Sequence, residues 1–575
     1  MKPGINEKNG KPEASRPKVR IMAILLALFV ILASLPFLVP HTGLLSLFCL
    51  VPLLCMEHIG TENGVKRMWL WHYSAFVLWN AATTFWVCNA TVGGGIFAVL
   101  ANAFQMSLIF GTFRWSRRVL KGILPYIFLA FLWIAWEHWY LTSAQISWPW
   151  LVLGNSFART ASLVQWYEFT GALGGSLWIW SCNLGLFGLM MWAATGKIAQ
   201  AGRVALVSLP LMYILLLTAL PVYSLLRYKA KDTEPDSTLD VIVLQPNIDP
   251  YHKFEALTQS QQNALLLKEF DAALAEEGYD STGITLALAP ETFTGGIVNG
   301  NIEETSITWR QFKAYLQDKP GMNLLFGAST YDYTFSKNAP SYNARKCRDG
   351  SWVESHNSAI IMDRSGETET YHKSKLVVGV EMMPYPAFFS KIDNMLGGVI
   401  GRCVGQDEVS LLNCVQRDSL GRITGRIPVG CAICYESVYP EHCTEYVRKG
   451  AELLTVITND AWWGDTPGYR QHLSYSSLRA IETGRYIVRC ANTGISAIIN
   501  PRGDILEETE WWKPAHIVSK AGLEDRKTFF VTYGDITGRI CSLMAIMILM
   551  SVAVRAFVAR RQEKQAKGDS GSRAA

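Results

Sequence analysis

At 575 residues the chain exceeds one ordinary hydrophobic core, so two or more domains are expected. Half of the residues are hydrophobic, 12% are aromatic and only 18% are charged, with 20 Trp. That is too apolar for an average soluble protein and excludes a disordered chain. The net charge of +5 is small for this length, and no basic face suited to nucleic acid stands out.

Apolar runs cover about 21–38, 42–56, 68–88, 94–113, 122–136, 171–194, 204–226 and 537–558. Crossing the hydrocarbon takes about 20 residues. After a tail at 1–20, this predicts a transmembrane bundle of about seven spans over 21–227 and a last span within 534–558. The run at 42–56 is short for a straight span. Basic residues mark alternate loops: Lys18 and Arg20, Lys66 and Arg67, Arg114, Arg117, Arg118 and Lys121, Lys197 and Arg203, then Arg555, Arg560, Arg561 and Lys564. The intervening loops hold almost none. The positive-inside rule then places both termini, including the tail at 559–575, in the cytoplasm. The polar segment 228–533 falls on the outer face.

Trp136, Trp139, Tyr140, Trp148 and Trp150 crowd the outer side of the fifth run. They read as an interfacial aromatic belt, with Ser147–Leu151 as a lipid access point beside the outer domain in the sharper reading.

Within 238–500, β-rich runs alternate with helical stretches. Strands are predicted at Leu239–Gln245, Ile284–Ala289, Asn323–Gly327, Ser358–Met362, Val429–Cys434 and Leu453–Thr458, with helices near 255–277, 306–317 and 468–489. This alternation predicts an α/β domain, in which reactive groups gather where strands end.

Three places carry candidate chemistry. Ala289-Pro290-Glu291 ends one strand in a carboxylate, and Ile433-Cys434-Tyr435-Glu436 ends another in a thiol followed by a polar pair. Tyr371-His372-Lys373 supplies an amine, with Glu381 eight residues on. Judged singly, each is ordinary: a turn-capping Glu, an inert buried thiol, a solvated Lys. Together they supply a nucleophile, a base and an electrostatic stabiliser, a set suited to acyl transfer through a thioester. The twelve cysteines include no Cys/His cluster with zinc spacing, and neither a metal nor another cofactor is expected.

The order Pro-Glu, Tyr-x-Lys-x-x-Leu, Cys-Tyr-Glu resembles the Glu-Lys-Cys triad of the nitrilase superfamily. Thr458-Asn459-Asp460-Ala461-Trp462-Trp463-Gly464, then Gln471-His472, Arg479-Ala480, Glu482, Gly484-Arg485, Arg489 and Asn492-Thr493-Gly494, are similar to one membrane-bound branch, the apolipoprotein N-acyltransferases. That resemblance implies an αββα nitrilase-like sandwich outside the cytoplasm, attached to a polytopic helical membrane domain. It implies transfer of an acyl chain from a phosphatidylethanolamine-like phospholipid to the α-amine of the diacylglyceryl-cysteine of an apolipoprotein, at the outer face of a bacterial inner membrane.

The resemblance also assigns roles. Glu291 would be the general base, Lys373 the oxyanion stabiliser and Cys434 the nucleophile, with Glu381, Tyr435 and Glu436 in support. Trp148 and Phe254, the latter where an early Trp is common, would sit near substrate. Lys375 stands where that branch usually has His, and Val378-Gly379-Val380 replaces its usual Pro-Phe-Gly. Two other readings share elements of the pattern: a membrane-tethered amidase that hydrolyses its thioester, and a transporter using Glu137 and His138.

Overall fold

The computed structural model describes residues 16–196, 202–231, 234–249, 257–275, 283–389, 401 and 403–572. Among the described residues, eight α-helices precede the first strand: α1 Arg16–Leu38, α2 Val51–Glu62, α3 Met68–Thr84, α4 Val87–Ala90, α5 Val92–Ser116, α6 Leu124–Thr142, α7 Tyr167–Ala194 and α8 Arg203–Ala230. After the strands come α14 Phe529–Tyr533 and the closing helix α15 Ile536–Ser572. Among the described residues, six helical segments are long and apolar enough to cross a membrane, at Lys18–Leu38, Gly43–Glu62, Val92–Ser116, Tyr167–Ala194, Arg203–Ala230 and Ile536–Gln562. The second corrects a sequence boundary: a 3-10 turn at Gly43–Leu47 and α2 together continue the short run at 42–56 to Glu62. The apolar runs behind α3 and α6 also fold as helices. However, α3 has 17 residues, and α6 carries Glu137, His138 and three Trp that dilute its hydropathy.

Two polar groups singled out for transport are instead structural. Glu137 Oε1 accepts the Leu153 N–H (2.8 Å) and the Trp133 indole N–H (3.0 Å), pinning the α6–α7 connection to α6. His138 Nδ1 meets Asp535 Oδ2 at 3.2 Å and ties α6 to the start of α15.

The polar segment forms two stacked sheets. Strands β1 Ser237–Gln245, β2 Thr285–Leu288 and β4 Met322–Thr334 run parallel, with β3 Thr294–Val298 beside β4. Around them lie β5 Arg345–Lys346, β6 Trp352–Met362, β7 Thr368–His372 and the distant β14 Ala515–Leu523, giving the path β14-β1-β2-β4-β6-β5. The second sheet, in the order β13-β12-β11-β10-β9-β8, uses β8 Leu412–Arg417, β9 Ile423–Ile433, β10 Leu453–Thr458, β11 Ile487–Ala491, β12 Ala497–Ile499 and β13 Ile505–Glu508. Its β9, β10 and β11 are parallel.

Side-chain alternation explains the layering. Val241, Val243, Leu286 and Leu288 point to one face and pack against Val429, Cys431 and Ile433 of the other sheet. Ile242, Leu244, Ala287, Leu324 and Phe326 point the other way, onto Leu266 and Phe270 of α9 Gln259–Leu274 and Phe312 of α11 Ile307–Leu316, which follows the short α10 Ile302–Thr305. Behind the second sheet lie α12 Pro440–Arg448 and α13 Pro467–Thr483. Helix α13 also touches the bundle, where Tyr475, Leu478 and Ile481 join the transmembrane core. The predicted helix at 468–489 ends early, because Gly484 at φ +66 caps it and the chain turns into β11.

The α6–α7 connection passes over α7 with almost no clearance. A Cβ on Gly154 would lie 1.8 Å from the Ala172 carbonyl oxygen, and the Tyr167 hydroxyl donates to the Gly154 carbonyl at 2.9 Å. Gly154→Ala must push these backbones apart and is expected to cost about 3 kcal/mol or more, the upper end of overpacking penalties. The check is the thermal unfolding midpoint in detergent, and a midpoint equal to that of the parent protein would disprove the contact.

Candidate active site

The sequence-singled residues meet where strands of the two sheets end. Glu291 lies just beyond β2, Cys434 immediately after β9, Asn459 and Asp460 after β10, and Lys373 after β7. Delivery of Glu291 depends on Gly327 of β4, where a Cβ would lie 2.5 Å from both Glu291 Cα and the Thr292 nitrogen. Cys434 takes φ +51, a left-handed conformation that a non-glycine residue adopts only where its surroundings enforce it.

Lys373 is 1% exposed and bridges two carboxylates, at 3.2 Å from Glu291 Oε1 and 2.9 Å from Glu381 Oε1. Asn357, on β6, donates through Nδ2 to the same two oxygens, each at 2.8 Å. Glu381 Oε2 accepts the Val377 N–H at 2.7 Å, and Glu291 Oε2 accepts the Asn459 N–H at 3.1 Å. Burial works against the Lys373 ammonium, but Glu381 and Glu291 outweigh it and hold its pKa well above the ordinary lysine value. The Cys434 thiol lies in the field of the same groups. Burial raises it, Glu291 raises it further, and Lys373 only partially opposes them, so the thiol is protonated at neutral pH. The nearby ammonium does not hold a resting thiolate, because its charge is already spent on two carboxylates.

Glu436 acts as a clasp. Its Oε1 accepts the backbone N–H groups of Ser374 (2.6 Å) and Lys375 (3.1 Å) and the Tyr371 hydroxyl (2.7 Å), while Oε2 accepts the Ile433 N–H (2.7 Å). One carboxylate thereby fixes the Lys373 turn against the Cys434 turn. Burial alone would raise its pKa. His442, the Ile433 N–H and the Tyr371 hydroxyl outweigh that, and it stays below the ordinary glutamate value.

Behind the thiol, His472 Nε2 lies 3.1 Å from the Cys434 carbonyl oxygen and 3.0 Å from Ser437 Oγ, and its Nδ1 lies 3.0 Å from Asp460 Oδ1. The Ser437 hydroxyl itself donates to the Cys434 carbonyl at 2.8 Å. Both nearby oxygens can accept from Nε2, so that nitrogen carries a hydrogen. Arg489 donates to Asp460 Oδ2 at 2.6 Å. Burial would raise the Asp460 carboxyl, but Arg489 and His472 override it and hold it at about 2.

The site rests on the bundle through aromatic side chains. Tyr435 donates its hydroxyl to the Ser147 carbonyl at 3.1 Å, and its ring stacks on Trp148 at 6.3 Å. Trp148 stacks on Trp150 at 5.3 Å, and Trp86 and Trp463 close on Trp150 at 4.9 and 5.6 Å. Trp150 is buried, so this pair packs between domain and bundle instead of lying in a belt. Phe254 lies outside the described residues. Asn357, His442 and the Asn459 N–H were missed in the sequence, since an Asn inside a strand and a His on a short helix carry no motif of their own.

Two family descriptions match the chain. Residues 29–185 match the apolipoprotein N-acyltransferase N-terminal domain, and residues 243–525 match carbon-nitrogen hydrolase. The apolipoprotein N-acyltransferase of Chlorobaculum tepidum is 27% identical over 532 residues, covering 90% of this chain and 93% of that one. The chain belongs to the apolipoprotein N-acyltransferase family. The Geobacter metallireducens apolipoprotein N-acyltransferase is 26% identical, covering 83% of this chain and 84% of that one. Among solved structures, Nit3 of Saccharomyces cerevisiae, a nitrilase-superfamily member, aligns over 51% of this chain and 93% of its own, at 14% identity and a TM-score of 0.34. Like its family, this is a multi-pass bacterial membrane protein, and it is an acyltransferase.

Two outcomes follow for an apolipoprotein N-acyltransferase built this way. Carbamidomethylation of Cys434 by iodoacetamide, read by peptide mass, is expected to be slow at pH 8 and to accelerate only as pH rises further. Glu291→Gln removes the carboxylate that raises the thiol, so labelling at pH 8 should become faster; slower labelling would contradict the electrostatics. Gly327→Ala should displace Glu291 and lower kcat/KM for acyl transfer about a hundredfold, the cost of an ångström-scale misplacement, while the protein elutes as the parent does on size exclusion. Full activity in that variant would show that the Glu291 turn has room to spare.

Proposed function

We propose that this protein takes an acyl chain from a membrane phospholipid, holds it as a thioester on Cys434, and passes it to the N-terminal amine of the diacylglyceryl-cysteine of apolipoproteins. The observation that carries this reading is the buried Lys373 ammonium held between Glu291 and Glu381 beside a protonated thiol, on a platform that rests on transmembrane helices. In this reading residues 228–533 are the catalytic domain on the periplasmic side of the inner membrane. The charge alternation of the loops supports that placement.

Glu291, Lys373 and Cys434 divide the work. As Cys434 Sγ attacks the ester carbonyl, its proton passes to Glu291 Oε2, which keeps a lone pair beside the Asn459 N–H. The tetrahedral oxyanion is stabilised by the Lys373 ammonium. Collapse breaks the ester C–O bond, the Glu291 proton goes to the departing glycerol oxygen, and a lysophospholipid leaves. The lipoprotein α-amine then attacks the thioester carbonyl and gives a proton to Glu291. Expulsion of the thiolate, which takes that proton back, leaves an amide and the resting thiol. One thiol serving two substrates in turn requires ping-pong kinetics. Glu381 keeps Lys373 charged, Glu436 fixes the two turns together, and Tyr435 with Trp148 seats the site on the membrane helices.

A phosphatidylethanolamine-like donor fits the position. Lifting an acyl chain into water costs about 0.8 kcal/mol per CH₂, so a site close to the bilayer avoids most of that cost. Val377, four residues after Lys373, and Trp463 pack on the transmembrane core, which brings apolar wall close to the ammonium. The same walls disfavour water as the second acceptor, which separates this reading from a tethered amidase.

The test is intact-mass analysis of purified protein after incubation with phosphatidylethanolamine. One acyl adduct is expected on the parent and none on Cys434→Ala, and a diacylglyceryl lipopeptide should discharge the adduct to acyl-peptide. Discharge to free fatty acid alone would favour the amidase.

A further inference from the structure

At the end of the bundle away from the catalytic domain lies a cavity of about 480 Å³. Its location follows from chain direction: α5 begins beside Asn89, which donates to the Trp463 carbonyl, and reaches Arg117 only after its 25 residues. Helix α7 likewise starts at the catalytic side, where Ala172 N–H donates to Glu482 Oε1, and ends beside the cavity at Met191 and Thr195. No residue of the catalytic site lines it.

The lining has two chemistries. At the rim stand His58, Arg117 and Lys121. Below them, Ile123, Tyr126, Leu184, Phe187, Gly188 and Met191 form an apolar wall between α6 and α7. Arg117 gives Nη1 to Glu57 Oε1 (3.2 Å) and the Thr61 hydroxyl (3.5 Å), and its Nε and Nη2 have no acceptor among the described residues. Lys121 is exposed and has no ion pair among the described residues. Nearby basic residues, Lys66, Arg67, Arg114, Arg117, Arg118 and Lys121, outnumber the carboxylates Glu57 and Glu62. A Cβ on Gly188 would meet nothing within 4 Å, so the apolar wall is indented there.

We propose that this cavity binds a glycerophospholipid of net negative charge, its phosphate at Arg117 and Lys121 and one acyl chain along Ile123, Phe187 and Gly188. Spare cationic donors above a hydrocarbon-facing slot match an anionic amphiphile, whereas a free phosphate would leave the apolar wall uncovered and a zwitterionic lipid would bring no net charge to the rim. The site is separate from the acyl-donor site, lies on the opposite leaflet, and stands whether or not the thioester mechanism holds.

The experiment is native mass spectrometry of the full-length protein released from micelles containing phosphatidylglycerol and phosphatidylethanolamine in equal amounts. Preferential retention of one phosphatidylglycerol is expected. Lys121→Gln should weaken that retention about five-fold, the worth of one basic residue at an anionic headgroup. Gly188→Phe should weaken it by filling the slot while leaving every rim charge in place. Acyl transfer activity of both variants should equal that of the parent, which also shows that they are folded. Equal retention of the two lipids, undiminished phosphatidylglycerol in both variants, or displacement by millimolar inorganic phosphate would each overturn the proposal.

Discussion

The structure turns on one ammonium placed where water scarcely reaches. A lone buried lysine charge would cost several kcal/mol, and a single carboxylate partner would only begin to offset that. Lys373 has two, Glu291 and Glu381, and the neutral amide of Asn357 binds the same pair of oxygens. The cluster therefore carries one surplus negative charge beside Cys434. That surplus, added to burial, keeps the thiol protonated at rest. In the proposed mechanism, such a resting site keeps Cys434 unreactive until an ester carbonyl is in reach.

Holding the cluster together requires strands from two sheets and a bundle to stay in register. Helix α13 does much of this. Its sequence is polar, yet almost every residue is buried, because one side faces the second sheet and the other faces membrane helices. Several of its buried polar side chains have dedicated partners. Gln471 accepts the indole N–H groups of Trp150 (2.7 Å) and Trp86 (3.2 Å) and donates to the carbonyls of Phe37 and Thr83. His472 reaches Cys434, Arg479 donates to the Val438 carbonyl at 2.9 Å, and Glu482 accepts the Ala172 N–H at 2.9 Å. Removing one of these partners would strand a buried polar group, so the helix transmits position rigidly from bundle to Cys434.

What could be read in advance followed from how strongly each element is patterned. The run Leu453–Thr458, LLTVIT, is apolar or β-branched at every position and became β10 with the same bounds, because a strand buried on both faces needs no alternation. Strands β7 and β13, with sequences TETYH and ILEE, escaped notice because they are short and polar or exposed, and only pairing with a neighbour makes them strands. Trp148 and Trp150 looked like interfacial anchors because composition cannot distinguish a lipid headgroup layer from a protein surface of the same polarity.

By itself the sequence determined the division into apolar helices and a polar α/β domain, and it set a carboxylate and a thiol at the ends of two predicted strands. These are local properties: run length, residue type and the abrupt end of a strand. Only the tertiary structure decided that Lys373 is shared by two carboxylates, that Asn357 joins them, that Glu436 clasps two turns, and that the thiol rests protonated. Those are sums of charge and burial over residues far apart in the chain, and they acquire a value only once the two sheets and the bundle have closed around them.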